Sequence, residues 1–338
     1  MTRDALATLF HPFDAGLLDP PEAGTHMLFL GAEPGFRLPE GFRSNLTLVQ
    51  GFRPFHSALA ESGYHVLPTI PDERFDAALV LCGRHRGENE VRVAAALERV
   101  VPGGRIVVAG GKEDGIVSLR KRLGGLTDIE GGMPKFHGVA FWFPRPGDAA
   151  PLIEALRMEN GGRLVEGRFH TAPGMFSHER LDAGSRLLIE HLPANLAGTV
   201  ADFCAGWGAL AAAVADRYPA VRVLDLYEAD FASLDAARRN LAGAGRDLGF
   251  FWHDLAADPI AKRYDAIVMN PPFHQGRAAD PGIGKDMVRA ASGALRKGGR
   301  LLMVANQQLP YEDLIAKLFA RHAEIARERG FKVLLAER

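Results

Sequence analysis

Cysteine is scarce, with only Cys82 and Cys204 in 338 residues. Two thiols make no disulfide framework, and they lack the paired spacing of a structural zinc site. The chain is therefore expected to work without metal in a reducing compartment. No run approaches eighteen apolar residues, which argues against a membrane-spanning helix. The first thirty residues hold Asp4, Asp14, Asp19 and Glu22 between short apolar stretches. That is not the basic start and apolar block of a secretory signal, so a cytoplasmic protein is expected. Nor does one charge dominate: 40 Lys and Arg face 41 Asp and Glu, a formal charge of -1. Up to position 170 the balance is 19 against 21, and after it 21 against 20. A polycation that grips nucleic acid by charge alone is excluded, so any nucleic-acid partner must meet a local patch or specific contacts.

What is present is a globular composition, with 47% hydrophobic and 24% charged residues. This length gives room for two domains. The chain also repeats itself. Arg74-Phe75-Asp76 leads into Ala77-Ala78-Leu79-Val80-Leu81, and Arg263-Tyr264-Asp265 leads into Ala266-Ile267-Val268-Met269. Each reads as a buried strand. Each is followed by a helical pattern (Val91 to Val100, Asp286 to Leu295) and a Gly-Gly turn (Gly103-Gly104, Gly298-Gly299) into another apolar strand. Strand, crossover helix, strand is the unit of a parallel sheet. Two α/β domains of one architecture are expected, covering 1–165 and 166–338. A linker is expected near 144–175, where Pro144, Pro146, Pro151, Gly161, Gly162, Pro173 and Gly174 cluster. In the second copy the strands and helices alternate until Glu324–Arg329 and Phe331–Ala336, which read as a closing antiparallel pair around Gly330. A mostly parallel seven-stranded sheet ending in a hairpin suits Rossmann-like methyltransferases better than dinucleotide-binding enzymes.

Three features carry chemistry. Asp202-Phe203-Cys204-Ala205-Gly206-Trp207-Gly208 reads as a strand end, a glycine turn and a helix N-terminus, where small residues let a ligand touch the backbone. Taken alone, this is any tight strand-to-helix turn. Glu228 closes the next strand, 26 residues after Asp202, where a carboxylate accepts both hydroxyls of a ribose. That fits a dinucleotide or S-adenosylmethionine equally. Asp254 follows the third apolar run and is placed to accept an adenine amino group, although a lone loop aspartate is more often simply solvated. Asn270-Pro271-Pro272-Phe273 ends the strand after that. Its prolines offer carbonyl acceptors without N–H donors. The Asn270 side-chain oxygen and the Pro271 carbonyl suit the two hydrogens of an exocyclic amino group, with Phe273 stacking on the attached ring. The bland alternative is a structural Pro-Pro turn.

The order Asp202/Gly206/Gly208, Glu228, Asp254, Asn270 to Phe273 resembles class I S-adenosylmethionine-dependent methyltransferases that modify exocyclic nitrogens. More narrowly, several segments are similar to ribosomal RNA guanine-N2 methyltransferases of the small-subunit methyltransferase C type. These are Pro173-Gly174-Met175-Phe176-Ser177, Leu181-Asp182-Ala183-Gly184-Ser185, the extension to His274, and Val304-Ala305-Asn306 with Leu309-Pro310-Tyr311. The resemblance is close over 170–338 and holds in outline before that. It implies two methyltransferase-like domains, of which only the second is catalytic, since Leu81-Cys82-Gly83-Arg84 stands where the second copy has its tetrapeptide. It also implies S-adenosylmethionine as cofactor, held by Phe176, Asp182, Ser185, Asp202, Gly206, Gly208, Glu228, Asp254 and Asn270. Catalysis would fall to Asn270, Pro271 and Phe273. The expected partner is ribosomal RNA or the small ribosomal subunit, with 16S RNA favoured and the protein a monomer. The chain departs from the family at Cys204, where glycine is usual, and at the bulky Trp207. Competing readings are an adenine-N6 or glutamine-amide methyltransferase, a nicotinamide-dependent oxidoreductase, and a non-catalytic RNA-binding protein of two decayed domains. The basic triplet Arg120-Lys121-Arg122 is either a solvated helix face or the place where the first half docks RNA, with Arg84 and Arg86 near the decayed loop as the next candidates.

Overall fold

A computed structural model describes residues 4–272, 274–275, 278–279 and 281–338. The chain divides into two compact units, the first made of Met1–Gly162 with Ala172–Gly174 and the second of Arg163–Thr171 with Met175–Arg338. Each holds a seven-stranded sheet.

In the second unit the strands lie in the order Asp247–Trp252, Val221–Glu228, Gly198–Phe203, Tyr264–Met269, Leu295–Asn306, Phe331–Glu337, Arg321–Glu328. The first five are parallel. The last two pair antiparallel, the closing hairpin that the sequence suggests. In the first unit the order is His65–Leu67, Asn45–Val49, His26–Leu30, Ala77–Leu81, Arg105–Gly111, Gly138–Pro144, Gly131–Lys135, and its last two strands are again antiparallel. In both sheets the chain reverses its direction of travel between the third and fourth strands of this order, the switch point where open α/β sheets leave a crevice at their carboxyl ends.

The strands form because both faces of each sheet are covered. Along the first unit's strands alternate residues enter opposite cores: Leu28, Leu30, Ala78 and Val80 on one side, Met27, Phe29, Leu79 and Leu81 on the other. The period of two in burial explains why these segments read as unbroken apolar runs. Both Gly-Gly turns are required sterically. Gly103 and Gly298 are left-handed, at φ +79° and +76°. A Cβ on Gly104 would sit 2.2 Å from the Asp76 carbonyl, and one on Gly299 3.0 Å from that of Tyr264.

The changes from one unit to the other all fall within 144–175, but most of that segment is built into elements. Pro151 lies in the first turn of a helix, Ala150–Met158, a position where its missing N–H costs nothing. Leu152 and Leu156 of that helix join the first unit's core. Arg163–Val165 and Phe169–Thr171 then pair as a small antiparallel ribbon of the second unit. Pro and Gly here start and stop elements; they do not mark unstructured chain.

Candidate functional site

The Gly198–Phe203 strand ends in a turn with three left-handed residues, Cys204 (φ +59°), Gly206 (+53°) and Gly208 (+90°), before helix Ala209–Arg217 begins. Such a turn is natural for glycine and strained for cysteine. Cys204 therefore carries a backbone strain that glycine would not. Asp202, fully buried, receives the Ala211 N–H on Oδ2 at 2.8 Å. Its Oδ1 is buried with no hydrogen-bond partner among the described residues. Burial, together with the charge of Glu228, holds the Asp202 carboxyl well above the usual range, against the lowering effect of the Ala211 N–H.

Glu228 ties the turn to the neighbouring strand. Its Oε2 accepts from Gly206 N and its Oε1 from Asp230 N, both at 2.8 Å. Burial is the largest cause raising its carboxyl to about 7; the charge of Asp230 adds to it and the backbone donors oppose it. Burial and the charges of Glu228 and Asp202 push the Cys204 thiol up, so it is no thiolate nucleophile.

A cleft opens at this turn. Phe176, Asp182, Ser185, Cys204, Gly206 and Asn270 all line it, and Trp207 is also in its wall. Met269 pairs with Phe203 across the switch point, which carries Asn270 to the turn. The Asn270 amide nitrogen donates to Asp182 Oδ2 at 3.0 Å and to Ser185 Oγ at 2.8 Å. Asp182 itself caps helix Ala183–Glu190, accepting Ser185 N at 2.8 Å. Pro271 is buried next to Asn270. Phe273, expected to stack on the substrate, and the His274 side chain lie outside the described residues.

Other expected residues fall elsewhere. Gly208 opens the helix but does not line the cleft; a Cβ there would meet Ala237 at 3.2 Å. Asp254 follows the third strand and caps its own turn, with Oδ1 accepting Ala256 N at 2.9 Å, and it is not part of the cleft lining. Trp207 is in the cleft wall. It is buried against Phe169, centroids 5.0 Å apart, and its Nε1 donates to the Phe176 carbonyl at 2.9 Å. The bulky residue thus holds the Phe176 turn in place, leaving the Phe176 side chain 58% exposed. No sequence signal announces this bond, because the two residues are thirty-one positions apart.

The first unit shows the same places differently filled. Leu30 pairs with Val49 and Val80 as Phe203 pairs with Tyr227 and Met269. By this register Phe29, Gln50 and Leu81 stand where the second unit has Asp202, Glu228 and Asn270. Arg92 donates to the Leu81 carbonyl at 2.8 Å and pairs with Glu88. Its guanidinium fills the space beside Gly31, the left-handed end of that strand.

Among the described residues no helix is long and apolar enough to cross a membrane, and no group of three or more His, Cys, Asp or Glu could hold a metal.

Comparison with known proteins agrees with this layout. The methyltransferase small domain family matches residues 166–335. Ribosomal RNA small subunit methyltransferase C of Pseudomonas aeruginosa (strain LESB58) is 35% identical over 255 residues, 72% of this chain and 74% of that protein. The protein of the same name from Shewanella piezotolerans is 31% identical, covering 80% of this chain and 78% of its own. Among solved structures, a T. thermophilus 16S rRNA N2-guanine methyltransferase in complex with AdoMet and guanosine superposes with a TM-score of 0.79 at 25% identity, over 97% of this chain and 91% of that one. With a family match over half its length and relatives this similar over more than two thirds of it, the chain belongs to the ribosomal RNA small subunit methyltransferase C family.

Proposed function

We propose that this protein transfers a methyl group from S-adenosylmethionine to guanine N2 of small-subunit ribosomal RNA, using the second unit alone for chemistry. The observation that carries the reading is the meeting of Asn270 with residues Cys204 to Trp207 of the turn in one cleft at the switch point. The residues present fit the cofactor. Asp202 Oδ1 is an orphaned buried acceptor, which an ammonium group completes. The Glu228 carboxylate, at the end of the second strand, suits ribose hydroxyls. Gly206 and Ala205 leave the turn open to close approach.

Bound S-adenosylmethionine supplies a methyl group on a positively charged sulfur that departs without acid assistance. The chain's own part is positioning. Asn270 Oδ1 and the Pro271 carbonyl accept the two hydrogens of the guanine amino group and thereby aim its lone pair into the cleft. Fixing both reactants in this way contributes on the order of 7 to 11 kcal/mol to rate acceleration. The amino proton leaves to water after attack, so no side chain with a tuned pKa is needed as base. The base must be unstacked to enter, at a cost of a few kcal/mol.

The first unit, taken as the non-catalytic domain 1–165, serves substrate recognition or folding. The protein works as a monomer in the cytoplasm. The test is transfer of labelled methyl to small-subunit RNA, free and assembled, followed by nuclease digestion. N2-methylguanosine supports the reading; label in N6-methyladenosine or in protein would replace the acceptor, and absence of any transfer would remove the activity.

A further inference from the structure

Asp182 and Ser185 line the cleft, yet the bonds their side chains make with Asn270 assign them a different task from holding the cofactor. We infer that they are positioning residues, which fix the orientation of the Asn270 amide for the incoming amino group. This inference rests on the methyltransferase reading above and deepens it.

The argument begins with chemistry. An ionised carboxylate only accepts hydrogen bonds, so the branch of the Asn270 amide facing Asp182 must be the nitrogen. Both hydrogens of that nitrogen are used, one on Asp182 Oδ2 and one on Ser185 Oγ. The oxygen is therefore on the opposite branch, and it is the oxygen, not the nitrogen, that an amino group requires. An asparagine without this pair could present either end, and the wrong end would repel the substrate nitrogen's hydrogens.

The pair is itself held. Asp182 Oδ2 also accepts Ser185 N, so the helix cap and the amide clamp share one oxygen. Ser185 is only 7% exposed. Gly184 between them is tight: a Cβ there would come within 3.0 Å of both Asp182 Oδ2 and the Phe331 ring. A cap residue, a buried hydroxyl and a glycine are thus set around one amide, on a helix separate from the strand that carries it.

The experiment uses the full chain, with calorimetry for S-adenosylmethionine and steady-state methyl transfer to unmethylated small-subunit RNA. Ser185→Ala keeps the helix cap and is expected to lower kcat about tenfold with the cofactor Kd and the KM for RNA within about twofold. Asn270→Asp sets two carboxylates against each other and should abolish turnover. Asp182→Ser keeps a cap on the helix while removing the carboxylate that faces the amide, and should likewise lower kcat about tenfold. Combined with Ser185→Ala it should cost less than the product of the two single losses, since both act through one amide. A cofactor Kd for Ser185→Ala weakened in step with kcat would overturn the inference, as would an unchanged kcat or single losses that multiply in full. Wild-type chain run alongside keeps the two ideas apart: if it binds no S-adenosylmethionine, the methyltransferase reading itself fails.

Discussion

Gln50 and Glu228 occupy the same step of their respective sheets, and one atom's difference changes what each can bind. Gln50 Oε1 accepts from Phe52 N at 2.8 Å as Glu228 Oε1 accepts from Asp230 N. The other end differs: Gln50 Nε2 donates to the Ala32 carbonyl at 2.6 Å, where Glu228 Oε2 accepts from Gly206 N. The amide spends its donor on the turn, and no charge remains for a ribose. With Phe29 for Asp202 and Leu81 for Asn270, the first unit lacks two of the three polar anchors and the charge of the third. Titration of the full chain with S-adenosylmethionine should therefore give one site. Two sites per chain would show the first crevice to be functional.

Glu228 sets a pH dependence whose sign follows from its raised pKa. In the fold burial pushes its carboxyl up to about 7 from an ordinary 4.5. The folded protein holds this proton more tightly than the unfolded chain. The stability it contributes is full below pH 4.5 and is lost as pH rises through 7, by on the order of 3 kcal/mol. Asp230, Asp202 and Cys204 are the titratable neighbours, and none supplies a positive charge. Cofactor hydroxyls donate to the ionised form, so affinity should increase from pH 6 to 8 with release of a proton. Calorimetry in two buffers of different ionisation enthalpy measures that proton. Glu228→Gln should abolish the release, and Glu228→Ala should weaken binding by about 1 to 3 kcal/mol.

The duplication, the strand ends and the tetrapeptide were legible because they are local: period-two burial, Gly-Gly turns and Asn-Pro-Pro are written in adjacent letters. What escaped depends on distant partners. The bonds by which buried Asp225 receives Tyr264 Oη and Lys262 Nζ, each at 2.8 Å, tie distant strands together and read in sequence as unrelated residues. The first unit's closing hairpin was hidden because Gly131–Lys135, with Gly and Pro in it, lacks strand composition. The clamp on Asn270 spans eighty-eight residues to Asp182. For Asp182 and Ser185 the resemblance indicates importance, and only the fold brings them to the amide they touch.

Cys204 offers a test of backbone strain. At φ +59° a residue with a Cβ is disfavoured by about 1 to 2 kcal/mol relative to glycine. Cys204→Ala and Cys204→Gly both remove the sulfur, which isolates the backbone effect. At ordinary positions alanine is the more stable by roughly 0.5 to 1 kcal/mol. Here the order should reverse, with the glycine variant more stable by about 1 kcal/mol in denaturant unfolding. Alanine the more stable would mean that the turn relaxes to negative φ.

The basic triplet of the first unit does not act as one patch. Arg122 is a structural residue: Nη1 meets Glu159 at 2.7 Å, Nη2 donates to the Ala155 carbonyl at 2.9 Å, and Nη2 lies 3.5 Å from Glu90. The Glu90 side chain is 1% exposed, so its charge depends on Arg122, on Arg86 at 2.9 Å and on the Asn160 amide at 2.6 Å. Removing one partner of a buried carboxylate is costly. Arg122→Ala should lower stability by about 1 to 3 kcal/mol, and any loss of RNA binding would follow from that. Arg84, Arg120 and Lys121 are exposed. Replacing these three with Ala should leave unfolding within about 0.5 kcal/mol of wild type. If this face meets RNA, the slope of log affinity against log salt should flatten by up to about 0.7 to 0.9 for each lost phosphate contact. Parallel salt lines of equal intercept for wild type and this triple variant would place the RNA surface elsewhere, while an unfolding curve unchanged in Arg122→Ala would deny the structural role.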